Sequence, residues 1–214
     1  MSNKDIFIIG FGGHYKVIQD ALDDNKKYVK GVISLDPQPQ SDQNKKSFLY
    51  YSDTDFRQNI KPENVMLVNA IGFTPKKSIR KQLFLEYKEL GYKFLTIASS
   101  SSVISSLSKL EEGTQILFRS SVMADSFIGA NTIINNAAHI DHDCHIGAHN
   151  HIAPGAILCG SVVTGENVFI GAGSIILPNL DIGNNTLVQA GAVVSINVPA
   201  DSTIFRNGKI KKNK

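Results

Sequence analysis

Residues 122–158 read VMADSFIGANTIINNAAHIDHDCHIGAHNHIAPGAIL, and within them an aliphatic side chain returns at every sixth position: Val122, Ile128, Ile134, Ile140, Ile146, Ile152 and Leu158. The row extends outward in both directions. It begins at Ile104, passes through Leu110 and Ile116, and runs on through Thr164, Ile170, Ile176, Ile182 and Val188 to Val194, with Thr164 its only non-aliphatic member. Glycine often follows, as at Gly129, Gly147, Gly171 and Gly183, and a small residue commonly stands four places on, as at Ser126, Thr132, Ala138, Cys144 and Ala156. A period of six matches neither an α-helix nor a coiled coil. It matches short strands joined by tight corners, each aliphatic side chain turned into a narrow prism and each small residue fitted at a corner. Three hexads then make one coil, and the fold expected over 99–205 is a parallel β-helix. A sandwich of short strands would not keep one register through so many repeats without an inserted loop.

Residues 1–98 follow another rule. Asp5–Gly10 and Tyr28–Ser34 read as strands around a helix from about Gly13 to Asp24. Asn64–Ala70 reads as a further strand, Pro75 to Leu90 as a helix with Ile79, Leu83 and Leu90 on its apolar side, and Tyr92–Ile97 as a closing strand. Such alternation implies a small parallel α/β sheet of Rossmann-like type, placed to cap the N-terminal end of the prism. Pro37–Ser47, polar and rich in Pro, Gln and Lys, reads as a surface loop.

The net charge of +3 owes much to Lys209, Lys211, Lys212 and Lys214. Residues 206–214 are therefore expected to be a solvated basic tail, and no nucleic-acid partner is expected. No apolar run approaches the roughly 20 residues that span a bilayer, so no membrane partner is expected either. A strand-like segment at Ile6–Ile9 with no signal peptide before it, and only two cysteines, Cys144 and Cys159, point to the cytoplasm.

The stretch IIGFGGHYKV (8–17) has glycine at 10 and 12, but position 15, where a dinucleotide fingerprint needs a third, is Tyr15. The NAD reading is poor. Gly10 and Gly12 still permit a tight strand-to-helix turn whose backbone N–H groups approach a ligand. Five of the six histidines lie within His139–His151, a set that also offers ligand types for zinc.

Taken together, IIGFGGHYKV (8–17), NAIGFTPKKSIRKQL (69–83), IDHDCHIGAHNHIAPGAILCG (140–160) and FIGAGSIILPNLDIG (169–183) resemble the nucleotide-sugar acetyltransferases of the sialic-acid O-acetyltransferase/bacillosamine N-acetyltransferase (NeuD/PglD-like) group. The resemblance covers nearly the whole chain. It implies a left-handed β-helix, a homotrimer whose active sites are each shared by two subunits, acetyl-CoA as co-substrate and no metal. It implies N-acetylation of a nucleotide-linked amino sugar, expected to be a 4-amino-4,6-dideoxy sugar for a surface polysaccharide or glycan. By the same resemblance His142 is the general base, and Asp143, where the compared member has glutamate, raises its basicity. His151, Ala172 and Ala190 are implied to contact acetyl-CoA; Gly12, Gly13, His14, Asp36 and Gly72 are implied to contact the nucleotide sugar.

The chemistry asks for one base of near-neutral pKa to take a proton as the amine attacks a thioester, which suits histidine. Adjacent strand residues point apart, so Asp143 reaches His142 only where the chain turns a corner or across subunits. His139, His145 and His149 read as solvated or interface residues. The alternatives are an O-acetyltransferase of a sugar or sialic acid using the same base, a zinc enzyme like the γ-class carbonic anhydrases, and a non-catalytic nucleotide-sugar-binding scaffold.

Overall fold

A computed structural model describes residues 4–34, 49–73 and 78–213. Asp36 and the loop at Pro37–Ser47 lie outside the described residues, as do Thr74–Lys77. Among the described residues no helix is long and apolar enough to cross a membrane.

The N-terminal half is a four-stranded parallel sheet of β1 (Asp5–Ile9), β2 (Val29–Ser34), β3 (Leu49–Ser52) and β4 (Val65–Asn69), in the order β3-β2-β1-β4. Its inner strands read as continuous apolar runs because both faces are covered. Helix α1 (Gly13–Asp24) packs Ile18, Ala21 and Leu22 on one face. Helices α2 (Asp53–Asn59) and α3 (Ile79–Glu89) pack Phe56, Leu83, Phe84 and Tyr87 on the other. The segment β3–α2 was not expected from the sequence. Its local signal is Ser52, which caps α2 by accepting from the Asp55 amide at 3.1 Å.

Three expectations are corrected. The core side of α3 is Arg80, Leu83, Phe84 and Tyr87, while Ile79 and Leu90 are exposed. The buried row has the spacing i, i+3, i+4, i+7, but it starts on an arginine, which hides it from a count of apolar residues. Tyr92–Ile97 is not a closing strand: Phe94 makes a single bridge to Leu67, and Ile97–Ala98 already pairs with Gln115–Ile116 of the prism. Nor is the C-terminus a free tail. Ile210–Lys212 returns antiparallel to Ser202–Ile204 and packs Ile210 against the prism core, with Lys211 and Lys212 left exposed. Asn207-Gly208 makes the turn, Gly208 at φ +79°. Asn-Gly is a strong hairpin signal that the lysine count obscured.

The C-terminal half is the expected left-handed parallel β-helix, with three sheets wound as a prism. The row from Ile116 to Val194 points inward and is fully buried. Thr164 keeps its place because its Oγ1 accepts from Asn150 Nδ2 at 2.6 Å and from the Gly147 amide at 3.1 Å, so the hydroxyl is satisfied inside. At most corners one residue is left-handed, as at Asn131 (φ +58°), Asp143 (φ +58°) and Asn167 (φ +57°). Asn and Asp tolerate that conformation best after glycine.

The outward residues give each face its own character. One face carries Ile97, Gln115, Ile133, His151, Phe169 and Leu187; its first coils are covered by α1 through Ile97, Leu117 and Ile133. We call it the domain face. A second, apolar face carries Val103, Ser121, His139, Ile157, Ile175 and Val193. A third, polar face carries Lys109, Phe127, His145, Val163 and Asp181.

Candidate active site

The turn from β1 to α1 is built around Gly10, at φ +92°, where a Cβ would overlap Ile71 Cδ1. Only glycine allows this turn to lie against the segment that follows β4. Gly12 caps α1 and Gly13 opens it; open space stands where either side chain would be. The free N–H groups of a helix start face this space. His14 lies in the first turn, its Cβ 3.9 Å from where a Gly72 Cβ would stand. Gly12, Gly13, His14 and Gly72 are thus brought together. Tyr15 turns away into the core, its ring 4.5 Å from that of Phe11.

A buried polar hub supports this turn, and the sequence reading missed it. Arg80 is 4% exposed. Its Nη1 donates to the Asn69 and Ile71 carbonyls at 2.6 and 2.8 Å, and its Nε and Nη2 donate to the Asn131 carbonyl across the domain junction. Among the described residues no carboxylate pairs with it, and burial pushes the guanidinium down to about 9. Asn131 Nδ2 donates to His149 Nδ1 at 3.0 Å. Gln115 donates to the Asn69 carbonyl at 2.7 Å and accepts from His14 Nε2 at 2.9 Å.

His151 stands beside this junction on the domain face. Asn135 Nδ2 donates to its Nε2 at 3.0 Å, so the ring proton is on Nδ1, which is buried without a partner among the described residues. Phe73 stacks on Phe169 at 4.8 Å, and both rings meet His151 edge-on. Burial first, then neighbouring positive charge, holds His14 at about 4 and His151 at about 3, while burial and Lys81 hold His149 at about 4. All three are neutral at pH 7. Ala172 and Ala190 are exposed and stack on successive coils, the Gly191 amide donating to the Ala172 carbonyl at 2.9 Å. They line the edge between the domain and apolar faces.

His142 and Asp143 occupy a different edge, between the apolar and polar faces. The chain does turn a corner there. With Asp143 left-handed, its Oδ2 comes to 2.7 Å from His142 Nδ1 within one chain. Both side chains are more than half exposed. One coil on, a Cβ at Gly160 would sit 2.7 Å from the His142 ring, so the absent side chain makes room for the imidazole. The hydrogen bond to Asp143 first, and the charge of Asp141 next, raise the His142 pKa above the ordinary histidine value.

The remaining histidines are dispersed. His139 bonds Ser121 Oγ at 2.6 Å on the apolar face, His145 stacks on Phe127 at 4.6 Å on the polar face, and His149 is buried against Phe84. Strand alternation and the corners send them to different sides, so among the described residues of one chain they form no metal-ligand set. His142, on the edge between the apolar and polar faces, likewise stands apart from His14 and His151, which belong to the domain face.

Residues 5–87 match the PglD N-terminal domain family, and residues 161–195 match the bacterial transferase hexapeptide (six repeats) family. PerB from Caulobacter crescentus, solved with CoA and GDP-perosamine, is 30% identical with a TM-score of 0.86, and 98% of each chain is covered. The chain belongs to the PglD-like hexapeptide acetyltransferases. A mutant perosamine N-acetyltransferase from the same organism, also with CoA and GDP-perosamine, is 29% identical with a TM-score of 0.87 over 98% of each chain. The acetyltransferase domain of PglB from Neisseria gonorrhoeae, with acetyl coenzyme A, is 28% identical with a TM-score of 0.86 over 99% of this chain and 100% of that one. The PglD-like arrangement accounts for both halves of the chain at once, which neither a zinc enzyme nor a lone hexapeptide prism does.

Proposed function

We propose that this PglD-like protein transfers the acetyl group of acetyl-CoA to the amine of a nucleotide-linked amino sugar, with a 4-amino-4,6-dideoxy sugar as the expected acceptor. The observation that carries this is the exposed His142–Asp143 pair, because a transferase of this kind needs one solvent-facing base and the corner supplies it. Nδ1–H of His142 donates to Asp143, which leaves Nε2 to accept a proton. As the amine nitrogen bonds to the thioester carbon, Nε2 takes its proton and Asp143 stabilises the imidazolium. The C–S bond then breaks and the CoA sulfur leaves, receiving the proton. The turn at Gly12, Gly13 and His14, with Gly72, receives the nucleotide sugar. His151, Ala172 and Ala190 lie along the pantetheine path. The PerB and PglB structures, which hold CoA with GDP-perosamine and acetyl coenzyme A, support the choice of the two substrates. The proposed location is the cytoplasm, where thiols such as Cys144 and Cys159 stay reduced.

We infer further that the working unit is a homotrimer. Val103, Ile157 and Val193, at 60, 37 and 55% exposed, lie on the apolar face, and the exposed Leu107 and Leu177 lie on its edge beside the polar face. Three such faces packed about a threefold axis bury the stripe. They also bring the Ala172–Ala190 edge of one subunit beside the His142 edge of the next, which completes a site that one chain leaves in two halves.

An acetyl-CoA consumption screen over nucleotide-linked amino sugars, with mass analysis of the product, tests the activity. A hydroxylamine-stable amide is expected. No turnover with any amino sugar overturns the proposal, and a labile ester in its place identifies the O-acetyltransferase. Gly12→Val raises the KM for the nucleotide sugar far more than that for acetyl-CoA, because the open space admits the side chain without a clash and the branch then blocks approach to the turn. Equal changes in both constants count against this turn as the sugar site. Asp143→Asn lowers the His142 pKa, since the carboxylate that favours the imidazolium is gone. A base must be neutral to act, so the acid limb of the kcat/KM profile moves to lower pH. A limb that stays in place means that Asp143 does not tune the base.

A further inference from the structure

Among the described residues His14 makes one side-chain hydrogen bond, from Nε2 to Gln115 Oε1. Gln115 is 1% exposed on the domain face. Its amide nitrogen is committed to the Asn69 carbonyl at 2.7 Å, and Arg80 Nη1 donates to that same oxygen at 2.6 Å. A carbonyl oxygen only accepts, so the Gln115 amide cannot be turned round and its oxygen must face the histidine. Nε2 of His14 therefore carries the ring proton, and Nδ1 keeps its lone pair.

That lone pair has no partner among the described residues. Unlike Nδ1 of His151, it is not a sealed atom. It belongs to a half-buried ring beside Gly72, at the turn where Gly12 and Gly13 leave open space. A proton on Nδ1 is opposed from two sides. Burial costs the cation its water, and the Arg80 guanidinium, which pairs with no carboxylate among the described residues, opposes it from α3; His151, two strands on from Gln115 in the same sheet, is itself neutral.

We propose that Gln115 is a positioning residue that sets the specificity of this cleft. It holds His14 as the Nε2–H tautomer, so the ligand group that meets Nδ1 is a hydrogen-bond donor, a hydroxyl or N–H of the sugar or nucleoside, and not a phosphate oxygen. A phosphate oxygen there would set two lone pairs against each other; the diphosphate belongs at the free N–H groups of the helix start instead. The ligand part of this proposal rests on the nucleotide-sugar reading above.

The test is nitrogen NMR of the full-length protein labelled at histidine, the His14 signals assigned by their loss in His14→Gln. In the free protein His14 is expected as the Nε2–H tautomer alone, without titrating between about pH 8 and 5. A bound nucleotide sugar should shift Nδ1 as an acceptor that stays unprotonated, and inorganic pyrophosphate should leave it unmoved. Gln115→Met keeps the side-chain length and removes both hydrogen bonds. It should mix the tautomers and raise the nucleotide-sugar KM about 3–10-fold, with the acetyl-CoA KM unchanged. An Nδ1–H tautomer or an imidazolium in the free protein overturns the proposal. So does protonation of Nδ1 on binding, or a response to pyrophosphate. If calorimetry detects no nucleotide sugar bound, the ligand half falls together with the proposed function, while the free-protein spectrum alone still decides the role of Gln115.

Discussion

His142→Ala lowers kcat by about 10²–10⁴-fold, the usual cost of deleting a general base, with little change in either KM. The side chain is 59% exposed on a corner, and the inward row on either side of it, Ile140 and Ile146, is untouched, so the fold is expected to persist. His145→Ala serves as the comparison. That ring stacks on Phe127 on the polar face and takes no proton in the proposed reaction, so its loss costs less than about tenfold. Steady-state kinetics on both variants, with circular dichroism to verify folding, decide the matter. A His142→Ala enzyme that keeps more than about a tenth of wild-type kcat shows that the base lies elsewhere.

Ile175→Asp dissociates the proposed trimer and removes activity with it, by about 10²-fold or more, because each separated subunit lacks the base of its own site. Ile175 lies on the apolar face between Ile157 and Val193. A threefold axis would gather three copies of the new carboxylate in an apolar contact, and each buried, unpaired charge costs several kcal/mol. The inward neighbour Ile176 is unchanged, so the prism itself should hold. Val163→Asp is the matched control: Val163 is also exposed, at 41%, but it stands on the polar face, and the trimer should survive. Light scattering at micromolar protein gives the answer. A wild-type monomer, or an Ile175→Asp protein that remains trimeric and active, defeats the shared-site arrangement. Co-expressing His142→Ala with Gly12→Val subunits gives a positive test of the same idea. In randomly mixed trimers about a quarter of the shared sites combine two intact halves, so activity at low nucleotide sugar should return.

The legible parts of this protein are those set by local repetition. A six-residue period can be satisfied only by short strands and corners, and the aliphatic row was therefore enough to give the prism, its register and its inward residues. The adjacency of His142 and Asp143 was equally plain in the sequence, but their contact was not. Strand residues side by side diverge, and only the left-handed backbone at Asp143 turns the carboxylate onto the imidazole. The three faces could have been read from the first residue of each strand taken every third hexad. Val103, Ile157, Ile175 and Val193 then fall in one column, which a period of six scatters among the polar positions.

The hub around Arg80 had no such signature. Asn69, Arg80, Gln115 and Asn131 each look like surface residues in their own segments, and Arg80 displaces the apolar residue that would have marked the buried side of α3. The hydrogen bonds that join Gln115 with Asn69 and with His14, 46 and 101 residues away in the chain, exist only once the sheet has docked on the first coils. The sequence by itself determined the architecture and offered the histidine proposed as the base, because periodicity and residue identity act locally. Tertiary structure alone decided that His14 meets the domain face while His142 stands on the edge between the other two faces, and which nitrogen of His14 carries the proton. Both depend on how the two halves meet.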